Sequence, residues 1–161
     1  MAILSYDRTR KALDVIGANV VGRVKTHMGQ QSINASGKTS SAIKHTLFQS
    51  GSILGVGIDS RKKLGYDILE IIDKGRKAGK QPPKDAIIRW IKDKGIQARK
   101  GQSLNQQAFM IARTIGRFGV RPRNVFDKAL AGYKGIAELQ LLDAIGADLD
   151  QFVDENMPKK T

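Results

Sequence analysis

Apolar residues recur at three- and four-residue spacing in several segments of this chain, which is the pattern of amphipathic helices. Two helices have clear boundaries, at residues 84–94 and 104–118, because a proline or a serine precedes each one and a glycine follows it. A further helix is predicted from about residue 4 to 27, and a last helical region from 123 to about 156. Three glycines are expected to split or kink that last region: Gly132, Gly135 and Gly146.

β-Prone residues between these helices predict a β-hairpin at residues 42–59. Residues 29–41 are rich in Gly, Gln and Ser and are expected to form an exposed loop. Residues 66–73 fit a helix and a short strand equally well, so the pattern leaves both open. The order of elements predicts an α+β fold: a helix-rich single domain with a small antiparallel β-sheet and a C-terminal helical extension. We expect the domain at residues 1–136 and the acidic helical extension at 137–161.

Charge is distributed unevenly along the 161 residues, whose formal net charge is +13. Residues 61–104 contribute +8 of this, whereas residues 138–155 hold six acidic side chains and no basic one. A basic stretch indicates a polyanionic neighbour, most often nucleic acid. The acidic end opens a second possibility, in which the basic part of one subunit meets the acidic part of the next. For any single Lys or Arg, a solvated surface position remains a third interpretation.

Several classes of chemistry are excluded or disfavoured by composition. The chain has no cysteine, which excludes disulfides, thiolate zinc sites and thiol nucleophiles. No apolar run reaches the roughly 18 residues of a membrane span, and the N-terminus lacks the apolar core of a signal peptide. We therefore expect synthesis in the cytoplasm and no membrane partner.

Residues 32–39, Ser-Ile-Asn-Ala-Ser-Gly-Lys-Thr, resemble a phosphate-binding loop whose first glycine is replaced by serine. A nucleotide-binding loop of this kind leads from a strand into a helix. Here the pattern predicts a helix before the loop and a strand after it, so a flexible loop is the favoured interpretation. His27 and His45 have no acidic neighbour in the sequence, so no metal site is expected.

Asp67, Glu70 and Asp73 would share one face of a helix, and paired carboxylates can perform acid–base catalysis. Basic residues follow them at once, which favours ion pairing on a solvated face. We therefore expect no enzymatic activity and no cofactor.

The helices at 84–94 and 104–118 are joined by residues 95–103, a connection longer than the three or four residues of a helix-turn-helix. Non-specific contact with phosphates is therefore favoured over base reading. The candidate residues for contact with DNA or a partner are basic: Arg76, Lys77, Lys80, Arg99 and Lys100. The candidate core or interface residues are apolar: Trp90, Ile87, Ile91, Ile111, Ile115 and Phe126. We expect the loop 74–80 to project from the fold and Trp90 to be a buried anchor of its helix.

Several short motifs occur in a fixed order along the chain. Residues 73–83 contain Asp-Lys-Gly-Arg and then Gly-Lys-Gln-Pro-Pro, and the following helix, Ala-Ile-Ile-Arg-Trp-Ile, ends in Lys-Gly-Ile at 94–96. The later helix carries a further motif at 108–113 and is followed by Gly-Val-Arg-Pro at 119–122. A small-residue turn at 34–43 and a short apolar helix at 126–130 complete the set. Over roughly residues 32–130, this order resembles the neck or tail-completion proteins of tailed bacteriophages.

That resemblance implies an α+β subunit that assembles into a ring at the head–tail junction, with DNA passing through the channel. It implies a virion protein that resides in the host cytoplasm during assembly. Its expected partners are copies of itself, other neck, head-completion, portal or tail proteins, and packaged DNA through non-specific contacts. The acidic C-terminal segment matches no motif of the family. The alternative hypothesis is a small basic cytosolic nucleic-acid-binding protein.

Overall fold

A computed structural model of the chain describes residues 5–33, 37–60, 62–63 and 66–156. It confirms the predicted helix-rich α+β class, with an antiparallel hairpin and a long C-terminal helix. The helices are α1 (Asp7–Gln30), α2 (Lys38–Ser41), α3 (Ile68–Lys74), α4 (Lys84–Asp93), α5 (Leu104–Phe118), α6 (Val125–Leu130) and α7 (Lys134–Asn156). The strands are β1 (Lys44–Ser50), β2 (Ile53–Asp59), β3 (Lys62–Lys63) and β4 (Tyr66–Asp67).

The chain divides into two compact units, each built from separate stretches of sequence. The first unit contains Met1–Val24, Lys44–Asp59 and Ala129–Thr161. The second contains Lys25–Ile43 and Ser60–Lys128. Since α7 begins at Lys134, the predicted boundary between residues 136 and 137 falls inside a helix, and a separate C-terminal extension stays a prediction.

The first unit combines most of α1 with the hairpin β1–β2 and with α7. The hairpin pairs from Lys44 with Asp59 to Ser50 with Ile53, which confirms the predicted hairpin. Helix α1 approaches this hairpin very closely at Gly17. A Cβ atom at that position would lie 2.7 Å from the side chain of Val56, so only glycine fits without a shift of the neighbouring side chains.

Asp148 of α7 caps the N-terminus of α1, although the two lie about 140 positions apart in the sequence. Its carboxylate accepts hydrogen bonds from the Arg8 amide at 3.1 Å, the Thr9 amide at 2.9 Å and the Thr9 hydroxyl at 2.7 Å. Burial opposes ionisation and alone would raise the pKa of Asp148. The three hydrogen bonds and the nearby Arg8 charge outweigh burial and hold the pKa below its ordinary value. Asp148 therefore stabilises α1 as a charged cap and ties α7 to it.

In the second unit, α4 packs against α5 through aliphatic side chains, with Ile87, Ile91, Ala108 and Ala112 forming the buried cluster. Pro83 stands at the N-cap of α4, as the sequence predicts. A capping box between the Ser103 and Gln106 side chains and backbone amides begins α5. These local signals explain why both helices have nearly their predicted bounds.

Three sequence expectations need correction or completion. Residues 66–73 adopt both of the alternatives, with strand β4 followed directly by helix α3. Within the predicted loop 29–41, α1 continues to Gln30 and residues 38–41 form α2, while residues 34–36 lie outside the described part. Gly132, with φ of +74°, separates α6 from α7. Gly135 and Gly146 lie inside the continuous helix α7, so they do not split it, and a kink at either position stays a prediction.

Among the described residues, no helix is long and apolar enough to cross a membrane.

Candidate interaction surfaces

The described residues contain no group of three His, Asp or Glu side chains that could hold a metal ion. The segment that resembles a phosphate-binding loop leads from α1 through Gly37 into the four-residue helix α2. Helix α1 precedes the segment, as predicted, but α2 lies between the segment and strand β1, so the predicted strand does not follow directly.

His45 has an acidic partner that the sequence does not reveal. Its Nε2 atom lies 2.8 Å from a carboxylate oxygen of Asp14, which belongs to α1 of the same unit. The expectation that His45 has no acidic partner is therefore wrong, because folding brings Asp14 to it from 31 positions away in the sequence. The contact links the hairpin to α1 and has a structural role.

The three carboxylates proposed to share a helix face have separate structural roles. Asp67 is the N-cap of α3 and accepts from the amide of Leu69 at 2.8 Å. Glu70 pairs with Lys74 at 3.1 Å on the surface, as the ion-pair interpretation predicts. Asp73 accepts from the amide of Phe126 at 3.0 Å and so fixes the start of α6. They do not converge on a common point where acid–base chemistry could occur.

The loop 74–80 does not project from the fold, which contradicts the prediction made from its glycines. The Arg76 amide donates to the Val120 carbonyl at 2.9 Å, and the Val120 amide donates back at 2.7 Å. A Cβ atom on Gly119 would lie 2.0 Å from the Arg76 carbonyl oxygen, so this pairing requires glycine. The two glycine-containing motifs of the bacteriophage resemblance therefore contact each other.

The basic side chains of this loop divide into two kinds. Arg76 is half-buried, and its guanidinium donates to the Lys80 carbonyl, so it holds the loop's own shape. Lys77 and Lys80 are exposed on a backbone that is hydrogen-bonded to the end of α5. Arg99 and Lys100 are exposed in the connection between α4 and α5. Four of the five candidate basic residues are therefore available to a partner.

The two units differ sharply in charge. The second unit carries 20 Lys and Arg residues against 6 Asp and Glu residues, a formal net charge of +14. The first unit carries 8 against 9, a net charge of −1, and the two values add to the +13 of the whole chain. The excess positive charge therefore belongs entirely to one compact unit.

The candidate core residues are only partly where the sequence places them. Ile87 and Ile91 are buried, and Ile111 and Ile115 are half-buried against the same cluster. Phe126 is half-buried at the start of α6. Trp90 is 39% exposed, so the prediction of a buried anchor is wrong. Residues 87 and 91 are four apart and share the inner face of α4, whereas residue 90 lies to one side of it.

Helix α5 has a second apolar face that the sequence reasoning missed. Phe109, Met110 and Phe118 are 52%, 53% and 78% exposed. Together with Arg113 and Arg117 they line a shallow groove of about 560 Å³ on the outer side of the helix. We call these five residues the α5 outer face. Helix α5 contains no acidic residue, so the α5 outer face combines apolar side chains with positively charged ones and carries no negative charge.

Helix α7 has an exposed apolar stripe as well. Its members are Leu139, Leu142, Leu149 and Val153, which are 45–64% exposed. With Gly146 they recur at alternating spacings of three and four, the pattern of a seam between helices. The half-buried Leu141 and Ile145 lie on the flank beside the stripe, where they line a pocket with Thr9 and Leu13 of α1. We call the exposed set the α7 stripe.

Comparisons with protein-family models, with curated proteins and with solved structures find no match to this chain. Function is therefore inferred from the surfaces described above and from the order of the sequence motifs.

Proposed function

We propose that this chain is a structural subunit of a tailed bacteriophage particle, a ring component at the head–tail junction that surrounds the DNA channel. The α7 stripe is the observation that carries this proposal. Leu139 and Leu142 are each 64% exposed, although α7 already packs in its own unit through the neighbouring flank that carries Leu141 and Asp148. Contiguous exposed apolar surface on a soluble protein marks an interaction site. Such a surface suits an assembly subunit better than an enzyme.

The charge of the second unit supports a position beside packaged DNA. A unit with a net charge of +14 attracts a polyanion without reading its sequence. Lys77 and Lys80 are exposed on a backbone tied to the end of α5, so their positions are well defined. Phosphate contacts of this kind position a protein on DNA and carry no base specificity.

The pairing of residues 76 and 120 supports the resemblance itself. The Asp-Lys-Gly-Arg and Gly-Val-Arg-Pro motifs are separated by more than 40 positions, yet their backbones pair and each glycine has a positive φ. Matched glycines are needed where two backbones approach this closely. The two motifs thus encode one structural feature, as expected if they were inherited together.

Removal of the gene from the phage genome tests the proposal. The expected result is accumulation of unjoined heads and tails in electron micrographs of lysates, since the junction lacks one of its rings. Supplying the wild-type chain in trans should restore joined particles. The double variant Leu139→Glu/Leu142→Glu should not restore joined particles, because the α7 stripe would lose its apolar character. Val15→Glu, at an exposed position on α1, is the matched control and should restore them. Normal joined particles without the chain would overturn the proposal.

The alternative is a small basic nucleic-acid-binding protein, and the +14 unit is the observation that favours it. Under this alternative the purified monomer binds duplex DNA tightly, and removal of the gene leaves particle assembly unchanged.

The contribution of the basic loop 74–80 to DNA binding is measured by the affinity for DNA at several salt concentrations. The affinity falls as salt rises, and each phosphate that a lysine neutralises makes the slope of log affinity against log salt steeper by about 0.9. Lys77→Ser/Lys80→Ser should therefore make this slope shallower by up to about 2. An unchanged slope would remove both lysines from DNA contact.

A further inference from the structure

We infer that the α7 stripe of one copy docks on the α5 outer face of a second copy. This inference rests on the proposed function, in which copies of the chain assemble with one another. It goes further by naming the two surfaces that meet, and it makes the contact heterologous, with a different patch on each side.

The charges around the α7 stripe decide what kind of surface can cover it. Residues 138–155 contain six acidic side chains and no basic one. Asp143, Asp150 and Asp154 recur at helical spacing beside the stripe. Pairing of two α7 stripes would bring like charges together along the whole contact, which is unfavourable. Nucleic acid and anionic lipid are repelled for the same reason. The stripe therefore requires an apolar partner surface with basic flanks.

The α5 outer face has those properties. Phe109, Met110 and Phe118 supply the apolar surface, and Arg113 and Arg117 lie one helical turn apart among them. No acidic residue of α5 opposes the carboxylates of α7. Arginine combines a planar, permanently charged head with an apolar stem, which makes it the basic residue best suited to an interface.

The α5 outer face is long enough to cover most of the stripe. It runs from Phe109 to Phe118, which is 10 positions, and the α7 stripe from Leu139 to Val153 is 15 positions long. At about 1.5 Å per residue these lengths are roughly 15 Å and 22 Å, so the α5 outer face covers about two thirds of the stripe. One face is apolar and acidic and the other is apolar and basic, so each copy presents one of each. A contact between two different patches propagates from copy to copy, and it closes into a ring when the rotation permits.

The absence of cysteine in the chain allows a direct test by disulfide formation between introduced residues. Met110→Cys and Leu142→Cys are prepared as separate full-length proteins, one of them with a size tag, and are mixed under mild oxidation. The expected product on a non-reducing gel is the mixed 110–142 dimer, at least severalfold above either homodimer. Because the cysteines are on different chains, an intramolecular bond cannot produce this band. Val15→Cys, which has the same 53% exposure as Met110, replaces Met110→Cys in the control mixture and should give no mixed dimer.

Charge exchange provides a second measurement on the same mixture. Arg113→Glu/Arg117→Glu in the first protein should abolish the mixed dimer. Asp143→Lys/Asp150→Lys in the second protein should restore it. Circular dichroism checks that each variant is folded, which is expected because all four positions are exposed.

The outcomes separate this contact from the proposed function. A dominant 142–142 dimer, or a mixed dimer no stronger than the Val15 control, overturns the inference even if the deletion leaves heads and tails unjoined. A strong mixed dimer with normal particles in the deletion supports the contact and overturns the phage role. Electron microscopy of the cross-linked protein carrying both cysteines should show closed rings, whereas open filaments would support the contact and contradict the ring.

Discussion

Replacing Asp148 by alanine tests whether one carboxylate holds α7 to the start of α1. The change removes three hydrogen bonds, two from backbone amides and one from the Thr9 hydroxyl. A hydrogen bond to a charged group contributes about 1.5–3 kcal/mol, and loss of an N-cap costs about 0.5–2 kcal/mol. These terms are not additive, and water can reach the more exposed Arg8 amide. We therefore expect a decrease of about 2–4 kcal/mol in the free energy of unfolding.

Urea denaturation followed by circular dichroism measures this decrease, with Asp150→Ala as the control. Asp150 is exposed on the same helix, two positions further along. We expect its replacement to change the free energy of unfolding by less than about 0.5 kcal/mol. Equal effects of the two substitutions would refute the capping role of Asp148.

The same site predicts a pH dependence. The pKa of Asp148 is lowered in the folded protein, so its stabilising effect is fully present above the unfolded value of about 3.9. The effect is lost as the pH falls through the lower folded value. The stability difference between wild type and Asp148→Asn should therefore be constant at neutral pH and shrink below about pH 4. A difference that stays constant down to the acid transition would contradict this reasoning.

Two further pairs of substitutions test the packing of the second unit and the close approach at its paired motifs. Ile91→Ala should cost about 2–5 kcal/mol because Ile91 is fully buried. Trp90→Ala should cost less than the roughly 3–5 kcal/mol typical of a buried Trp, because Trp90 is 39% exposed; thermal unfolding compares the variants, and a loss in that range would restore Trp90 to the core. Gly119→Ala and Gly132→Ala both place a side chain at a positive φ, at a cost of about 1–2 kcal/mol. Only at Gly119 would the new Cβ collide with a backbone oxygen, so its melting temperature should fall much further; similar values for the two variants would contradict the tight pairing.

Helix positions and the hairpin were predictable because their signals are local. Helices α4 and α5 have periodic apolar residues, a proline or serine at the start and a glycine after the end. Gly132 and Gly146 show the limit of such signals. Gly132 has open space and a positive φ at a helix end, whereas Gly146 is accommodated inside a helix that packing already stabilises.

The features that were missed depend on contacts distant in sequence. The cap from Asp148 to Thr9 spans 139 positions, and the pairing of Arg76 with Val120 turns a glycine-rich loop into an anchored one. The rotation of a helix about its axis also depends on its neighbours. That is why Trp90 proved exposed beside a buried isoleucine. The α5 outer face was detectable in principle, since Phe109 is apolar but does not share a helix face with the candidate core residues Ile111 and Ile115.

The proposed location at the head–tail junction is tested most directly by finding where the protein lies in the virus particle. Gold-labelled antibodies raised against the purified protein are applied to particles of the phage that, under this proposal, carries the gene. We expect gold at the junction between head and tail. As a control, particles that lack this chain and are joined by the junction proteins of a related phage should carry no label. Label along the tail tube, on the capsid surface, or only on free protein in the lysate would contradict the proposed location.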